Sequence, residues 1–229
     1  MKKLVVLSGA GMSAESGIRT FRDMGGLWND YDVMEVASPT AWAKNPNLVH
    51  QFYNERRKQL FDCSPNKGHL LIKELEKHFD VHIVTQNVDD LHERAGSSKI
   101  LHLHGELKKA RSTVDERLVY ELDTWKLSLE DTCEKGSPLR PHIVWFGESV
   151  PAISKAAEIV SHADLLLIIG SSLNVYPAAD LINYMPNNSP VYIIDPKQPA
   201  IRTKNNITFI SEKASVGLDK FFELLNLKS

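Results

Sequence analysis

An α/β fold with a doubly wound, mostly parallel sheet is the architecture the sequence predicts, on three observations. Apolar runs of strand length recur along the chain; several are continuously apolar, as strands covered on both faces are; and helical patterns lie between them. The strand-like runs are "KLVVLS", "VHIVTQN", "KILHLHG", "PHIVWFGE", "ADLLLIIG", "PVYIID" and "NITFIS". The helical stretches are "NPNLVHQFYNERRKQLF", "NKGHLLIKELEKHF", "VPAISKAAEIVSH", "PAADLINYM" and "SVGLDKFFELLNL". Residues 23–65 and 105–140 break the alternation and are expected to form a small module of helices and turns. The large part then comprises about 1–22, 66–104 and 141–229, and all 229 residues make one domain, since an even division would leave two thin cores.

Composition excludes several classes of function. With 27 basic and 29 acidic side chains, a formal charge of -2 and no long run of one sign, the chain lacks the footprint of a nucleic-acid binder. No stretch approaches the roughly 20 apolar residues of a membrane span, and "MKKLVVLSGAG" reads as a first strand, because its apolar run is too short for a signal peptide. Cys63 and Cys133 stand far apart in no paired spacing, as in a reduced, cytoplasmic protein without a disulfide framework.

The chemistry is concentrated at strand ends. Gly9-Ala10-Gly11-Met12-Ser13-Ala14 fits G-x-G-x-x-A after a strand, a turn that brings backbone N–H groups and a helix N-terminus to a pyrophosphate, or that simply joins strand to helix. A hydride-transferring enzyme would want an acidic residue about 20 positions on, at a second strand end; here that distance falls in "GGLWNDYD". Phe21 and Arg22 lie in a polar loop able to close over a ligand, with Arg22 either meeting an anion or solvated. Gln86, Asn87 and Asp89 follow a strand and suit sugar hydroxyls or a carboxamide, or the capping of "VDDLHERAG". His102 and His104 share one face of "KILHLHG"; they read as metal ligands, as a base with its neighbour, or as unrelated polar positions. His104, at the strand's end with Gly105 leaving room beside it, is the better base.

Five ordered blocks, "GAGMSAESGIRTFR", "TQNVDDLHERAG", "LHLHGEL", "RPHIVWFGE" and "GSSLNVYPAA", resemble the sirtuins, NAD-dependent protein-lysine deacylases, over nearly the whole chain. The resemblance implies a Rossmann-like large part and NAD consumed as co-substrate, its bond to nicotinamide broken by the acyl-lysine oxygen, with nicotinamide, O-acyl-ADP-ribose and free lysine as products. It implies Gly9, Ala10, Gly11, Phe21, Arg22 and Trp28 around the diphosphate and nicotinamide ribose, and Gln86, Asn87 and Asp89 lining the pocket, with Asn87 and the general base His104 as the catalytic residues. Gly170, Ser171, Ser172 and Asp195, where the family usually carries Asn, would hold phosphate or adenosine ribose, and Ala214 would touch adenine. Val144, Trp145, Phe146, Gly147 and Glu148 look like an edge that receives the substrate peptide as an added strand. The implied partners are acylated lysine side chains; no nucleic acid, membrane or further chain is implied, and a monomer is expected.

Two features refine the resemblance. Leu48, Phe52, Arg56 and Leu60 recur at i+4 spacing, so Arg56 interrupts an apolar stripe, with Tyr53 on the adjoining face. The bland reading is a snorkelling arginine beside a packing tyrosine. The Tyr-x-x-Arg pair resembles the feature of sirtuins that remove acidic acyl groups, and implies removal of succinyl and malonyl groups, with deacetylation as well. The family's zinc ribbon of two C-x-x-C pairs is broken: Ser112 and Asp115 stand where the first pair would be, and Cys133 with Gly136 where the second would be. Four thiolates cannot be assembled, so no metal is expected, with packing by Leu118, Tyr120, Leu122 and Trp125 in its place. The rivals are an NAD hydrolase or ADP-ribosyltransferase using the same pocket, and a non-catalytic NAD or ADP-ribose sensor; a dehydrogenase comes third.

Overall fold

The structure is a computed structural model that describes residues 1–20, 32–199 and 206–227. Six strands form the main sheet: β1 (Lys3–Ser8), β2 (Asp80–Thr85), β3 (Ile100–His102), β7 (Leu165–Ile169), β8 (Val191–Ile194) and β9 (Ile207–Ile210). They lie in the order β3-β2-β1-β7-β8-β9, and every neighbouring pair is parallel. This is the Rossmann-like order, in which the chain winds outward in both directions from the centre.

The apolar runs are explained by burial on two faces. Along β1 and β7, Leu4, Val6, Leu165, Leu167 and Ile169 face one core, with α4 (Lys67–Glu74) and α7 (Ala214–Leu224) supplying Leu71, Ile72, Leu218, Phe221 and Phe222. The alternate residues Val5, Leu7, Leu166 and Ile168 face a second core with Ala156 and Val160 of α6 (Ile153–Ser161). Successive side chains point to opposite sides of a strand, so a strand covered twice needs apolar residues at every position.

The small module contains α1 (Val33–Val36), α2 (Pro39–Lys44), α3 (Pro46–Asp62) and a three-stranded antiparallel sheet, β5-β4-β6, of β4 (Gly105–Ser112), β5 (Val119–Glu121) and β6 (Leu139–Ile143). Asn45 caps α3 by accepting from Leu48 N at 3.1 Å, and Pro46 opens its first turn. Sequence reasoning missed β4, whose "GELKKARS" is charged, and assigned "PHIVWFGE" to the large part; the strand there, β6, pairs instead with β4. The stretch "PAADLINYM" forms a 3-10 helix over Ala178–Tyr184 where an α-helix was expected. α5 (Leu91–Arg94) is the short helix after β2. Among the described residues, no helix is long and apolar enough to cross a membrane.

Candidate active site

The chain winds outward in opposite directions from between β1 and β7, and in open α/β sheets the crevice beyond the carboxyl ends of such strands takes the ligand. Gly9 follows β1, and Gly170 follows β7. Gly9 N donates to Ile169 O at 3.0 Å, and Gly11 N to Gly170 O at 2.9 Å. A Cβ on Gly170, at φ +60°, would lie 2.2 Å from Met12 N, and one on Gly9 would lie 2.6 Å from Gly170 O. The glycines therefore let the two loops interlock. Met12 N and Ser13 N turn back onto Gly9 O and Ala10 O, and the turn continues as 3-10 pieces at Ala10–Met12 and Ala14–Ser16. The expected helix N-terminus does not form there, because left-handed Gly17 ends the second piece, and the N–H groups of Gly9, Gly11, Met12 and Ser13 are spent within the loops. Phe21, Arg22 and Trp28 lie outside the described residues.

At the end of β2, a polar chain fixes the next candidates. Asn87 N donates to Thr85 Oγ1 at 3.0 Å, Asn87 Nδ2 to Ser13 Oγ at 3.1 Å, and Ser13 Oγ to Asp89 Oδ2 at 2.8 Å. Asp89 also accepts from Leu91 N at 3.2 Å, so it serves α5 as well. Burial raises its pKa, against the pull of Ser13 and of Leu91 N. Gln86 Nε2 donates to Ser171 Oγ at 3.0 Å, tying the end of β2 to that of β7. Ser13 escaped sequence reasoning as a site residue, although its place inside the glycine turn was the available signal.

The two histidines of "KILHLHG" take different roles. His102 is bonded at both ring nitrogens, to Asn87 O at 2.9 Å and to Glu93 Oε1 at 2.8 Å. Burial opposes its charge, but Glu93 and the Asn87 carbonyl raise its pKa overall. His104 lies beyond the end of β3 and bonds through Nδ1 to Gln86 O at 3.1 Å. A carbonyl only accepts, so Nδ1 carries the proton and the Nε2 lone pair, engaged by no described residue, is open. Burial lowers the His104 pKa, with the Gln86 carbonyl working the other way, and keeps the ring neutral at pH 7. Gly105, at φ +84°, is required beside it: a Cβ there would sit 2.0 Å from His142 O.

On α3, Tyr53 is buried and accepts a hydrogen bond from Trp145 Nε1 at 3.1 Å. Arg56, one turn on, does not snorkel. Its side chain is only 15% exposed, its guanidinium carbon lies 4.2 Å from the centre of the Phe52 ring, Nη1 donates to Phe52 O at 3.1 Å, and Glu55 lies 3.5 Å from Nη2. Its neighbour Arg57 is wholly buried and donates to Leu107 O, Trp125 O and Asn54 Oδ1 at 2.6, 2.7 and 2.8 Å, joining α3 to β4 and the loop after β5.

Three expectations change. Val144 to Glu148 form a turn beyond β6, not a free edge strand: Val144 N donates to His104 O, Trp145 N to Glu148 Oε2, Phe146 N to Ala37 O and Glu148 N to Trp145 O. An added peptide strand would find four of these five N–H groups occupied. Ala214 opens α7 with its side chain in the core, so a ligand would meet only its backbone. Trp125 is exposed, with Lys58 over its ring, while Leu118, Tyr120 and Leu122 pack on Ala110, Leu127, Cys133 and Leu139. Ser172 is exposed beside buried Ser171, and Asp195 follows β8, accepting from Lys197 N at 2.9 Å.

Among the described residues, no group of three or more His, Cys, Asp or Glu is placed to hold a metal ion. At the positions expected for zinc ligands, Ser112 Oγ accepts from Val114 N and Asp115 N, while Asp115 pairs with Arg117 and Lys135, each at 2.9 Å. That ion pair links the two turns a metal would join.

The model of the Sir2 family matches residues 9–177. An NAD-dependent protein deacylase of Helicobacter pylori is 56% identical over 214 residues, 93% of this chain and 91% of that protein. One from Bacteroides thetaiotaomicron is 53% identical over 230 residues, 98% of each chain. A solved complex of a Sir2 homologue with NAD superposes with a TM-score of 0.89 at 38% identity, covering 98% of this chain and 90% of that one.

Proposed function

The chain belongs to the Sir2 family, the sirtuins, and on that premise we propose that it is an NAD-dependent protein-lysine deacylase that removes succinyl and malonyl groups, and acetyl groups as well. For the deacylation itself, the supporting geometry is at His104. Its protonated Nδ1 is anchored on Gln86 O, and its open Nε2 is neutral through burial, as a base accepting a ribose hydroxyl proton requires. NAD, when bound, supplies an anomeric carbon that releases nicotinamide; no hydride moves. Asn87, held through Ser13 and Thr85, offers its side-chain oxygen to a ribose hydroxyl, and the Gln86–Ser171 bond keeps the walls of the crevice together. Gly9, Gly11 and Gly170 let the two loops beyond β1 and β7 pack closely at the carboxyl end of the sheet, where a dinucleotide would bind. With both cysteines free and buried, the chain suits the cytoplasm.

The acyl preference rests on one observation: Arg56 lies over the Phe52 ring, mostly out of solvent, one helical turn from the buried Tyr53 phenol. An arginine and a phenol in a largely apolar wall bind a carboxylate through charge-assisted hydrogen bonds, about 1.5–3 kcal/mol for the charged partner. The test compares nicotinamide release from NAD with acetyl-lysine peptide, succinyl-lysine peptide or no peptide, for the parent and for Arg56→Met. Release that needs peptide and favours succinyl, with the preference falling roughly ten- to a hundredfold in the variant, supports the reading. Equal release without peptide would make the protein an NAD hydrolase.

A further inference from the structure

We propose that Trp145 is a positioning residue that sets acyl specificity: its indole N–H occupies the Tyr53 oxygen and so leaves the phenol proton for the carboxylate of an acidic acyl group. The inference rests on the desuccinylase reading above and concerns how its pocket is built.

The argument starts from donor and acceptor counts. An indole nitrogen is a donor only, so in the 3.1 Å bond between Trp145 Nε1 and Tyr53 OH the phenol oxygen accepts. The phenol proton is then committed elsewhere, and no described residue accepts it. A buried hydroxyl proton without an acceptor is costly unless a ligand supplies one. Tyr53 shares α3 with Arg56, three residues on and one turn away, whose guanidinium is the cation of the same wall. A ligand carboxylate accepts the phenol proton and adds a charge partner for the Arg56 guanidinium, which Phe52 O and Glu55 already hold in place; an acetyl methyl does neither.

The indole is itself fixed from three sides. Arg140 places its guanidinium carbon 3.2 Å from the centre of the Trp145 ring, and is held by Glu148 through bonds of 2.7 and 3.0 Å. The same Glu148 carboxylate accepts from Trp145 N at 2.8 Å, so ring and backbone share one anchor. Trp42 packs nearby, with ring centres 5.8 Å apart. A cation over the indole face draws electron density from the ring and strengthens the N–H as a donor. Phenylalanine at this position would keep the stacked face and lose the donor; the Tyr53 oxygen would then be free to turn, and its proton would no longer be aimed.

The experiment measures kcat and KM for succinyl-, malonyl- and acetyl-lysine peptides in the parent, Trp145→Phe, Tyr53→Phe, the double variant and Arg56→Met. The expected result is a succinyl-to-acetyl ratio of kcat/KM that drops roughly three- to tenfold in Trp145→Phe, as loss of one neutral hydrogen bond implies, and that drops through KM. In the Tyr53→Phe background, Trp145→Phe should lower that ratio no further. Should Trp145→Phe lose all activity with its fold, benzothienylalanine placed at position 145 removes the N–H while keeping the ring's size, and the same drop is expected. An unchanged ratio at position 145 beside a collapsed ratio in Arg56→Met overturns the role of Trp145 and leaves the acidic-acyl reading standing. So does an additive double variant. No succinyl preference in the parent, with none lost in Arg56→Met, overturns that reading and this inference with it.

Discussion

Lowering the pH from 7.5 to 5.0 should cost this protein a large part of its stability, because it folds around neutral histidines. His50, His69 and His92 are buried, and burial is the leading cause that lowers the pKa of each, to about 4 for His50 and His69. His69 accepts from Asn66 N at 3.3 Å in the capping box of α4, and its Nε2 has no partner; its ring centre lies 5.0 Å from that of His92, so charging either one penalises the other. Neither ring nitrogen of His50 makes a well-formed hydrogen bond. In the unfolded chain each would bind a proton near pH 6.5, which the folded state refuses, so stability falls as pH drops below 6.5 and keeps falling to the folded pKa. At pH 5.0 that is about 1.5 pH units at 1.36 kcal/mol each, hence roughly 2 kcal/mol for His50 and the same for His69. His102, with its raised pKa, works in the opposite sense and offsets part of the loss. Against the 5–15 kcal/mol typical of a folded domain, roughly 4 kcal/mol is readily measured. Urea unfolding followed by tryptophan fluorescence at both pH values gives the drop, and His50→Leu should recover roughly 2 kcal/mol of it at pH 5.0 while changing little at pH 7.5. A parent with equal stability at both pH values, or a His50→Leu chain with the parent's pH dependence, refutes the reasoning.

Replacing the proposed base, His104→Ala, should cut peptide-dependent nicotinamide release and acyl transfer roughly 10²- to 10⁴-fold with the melting temperature little changed; retained turnover would move the base elsewhere. Prolonged treatment with a chelator should alter neither activity nor melting temperature, since Asp115 with Arg117 and Lys135 and the small apolar cluster hold the turns together; inactivation with stoichiometric zinc release would contradict this. Arg57→Met should destabilise by roughly 1–3 kcal/mol, because the buried Leu107 carbonyl loses its donor, while the part-buried Trp125 carbonyl meets water. Chemical denaturation tests it, and a cost under 1 kcal/mol would show that water replaces the guanidinium.

The sequence shows the main sheet well, for a physical reason. Leu4 to Leu7 and Leu165 to Ile169 are buried on both faces, so burial writes itself into consecutive letters. The small sheet is nearly silent because β4 spaces Leu107 and Ala110 three apart among lysines and arginine, across a break in its register with β6, so no alternation of period two shows. Candidate site positions were legible where chemistry restricts the type of residue at a strand end, as for His104 and Asn87, which lie just past β3 and β2. Ser13 and Arg57 were not, since one hydroxyl in a glycine turn and one arginine on a charged helix look ordinary until the partners arrive. Arg56 and Arg57 are adjacent and identical in type, yet only packing says that one meets the Phe52 face while the other is sealed under carbonyls.

The same local geometry couples the proposed base to the proposed acyl-reading groups. His104 O accepts from Val144 N at 2.9 Å, and the next residue, Trp145, donates to Tyr53. Gly105 makes that closeness possible, because any side chain there would strike His142 O and push β4 away from β6. A change at Gly105 therefore moves the His104 carbonyl and the Trp145 indole together. Gly105→Ala should lower turnover for every acyl group and blunt the preference among them in one step, whereas Arg56→Met should change the preference with kcat for acetyl-lysine largely retained. A Gly105→Ala enzyme with parental specificity and reduced kcat alone would separate the two halves of the site.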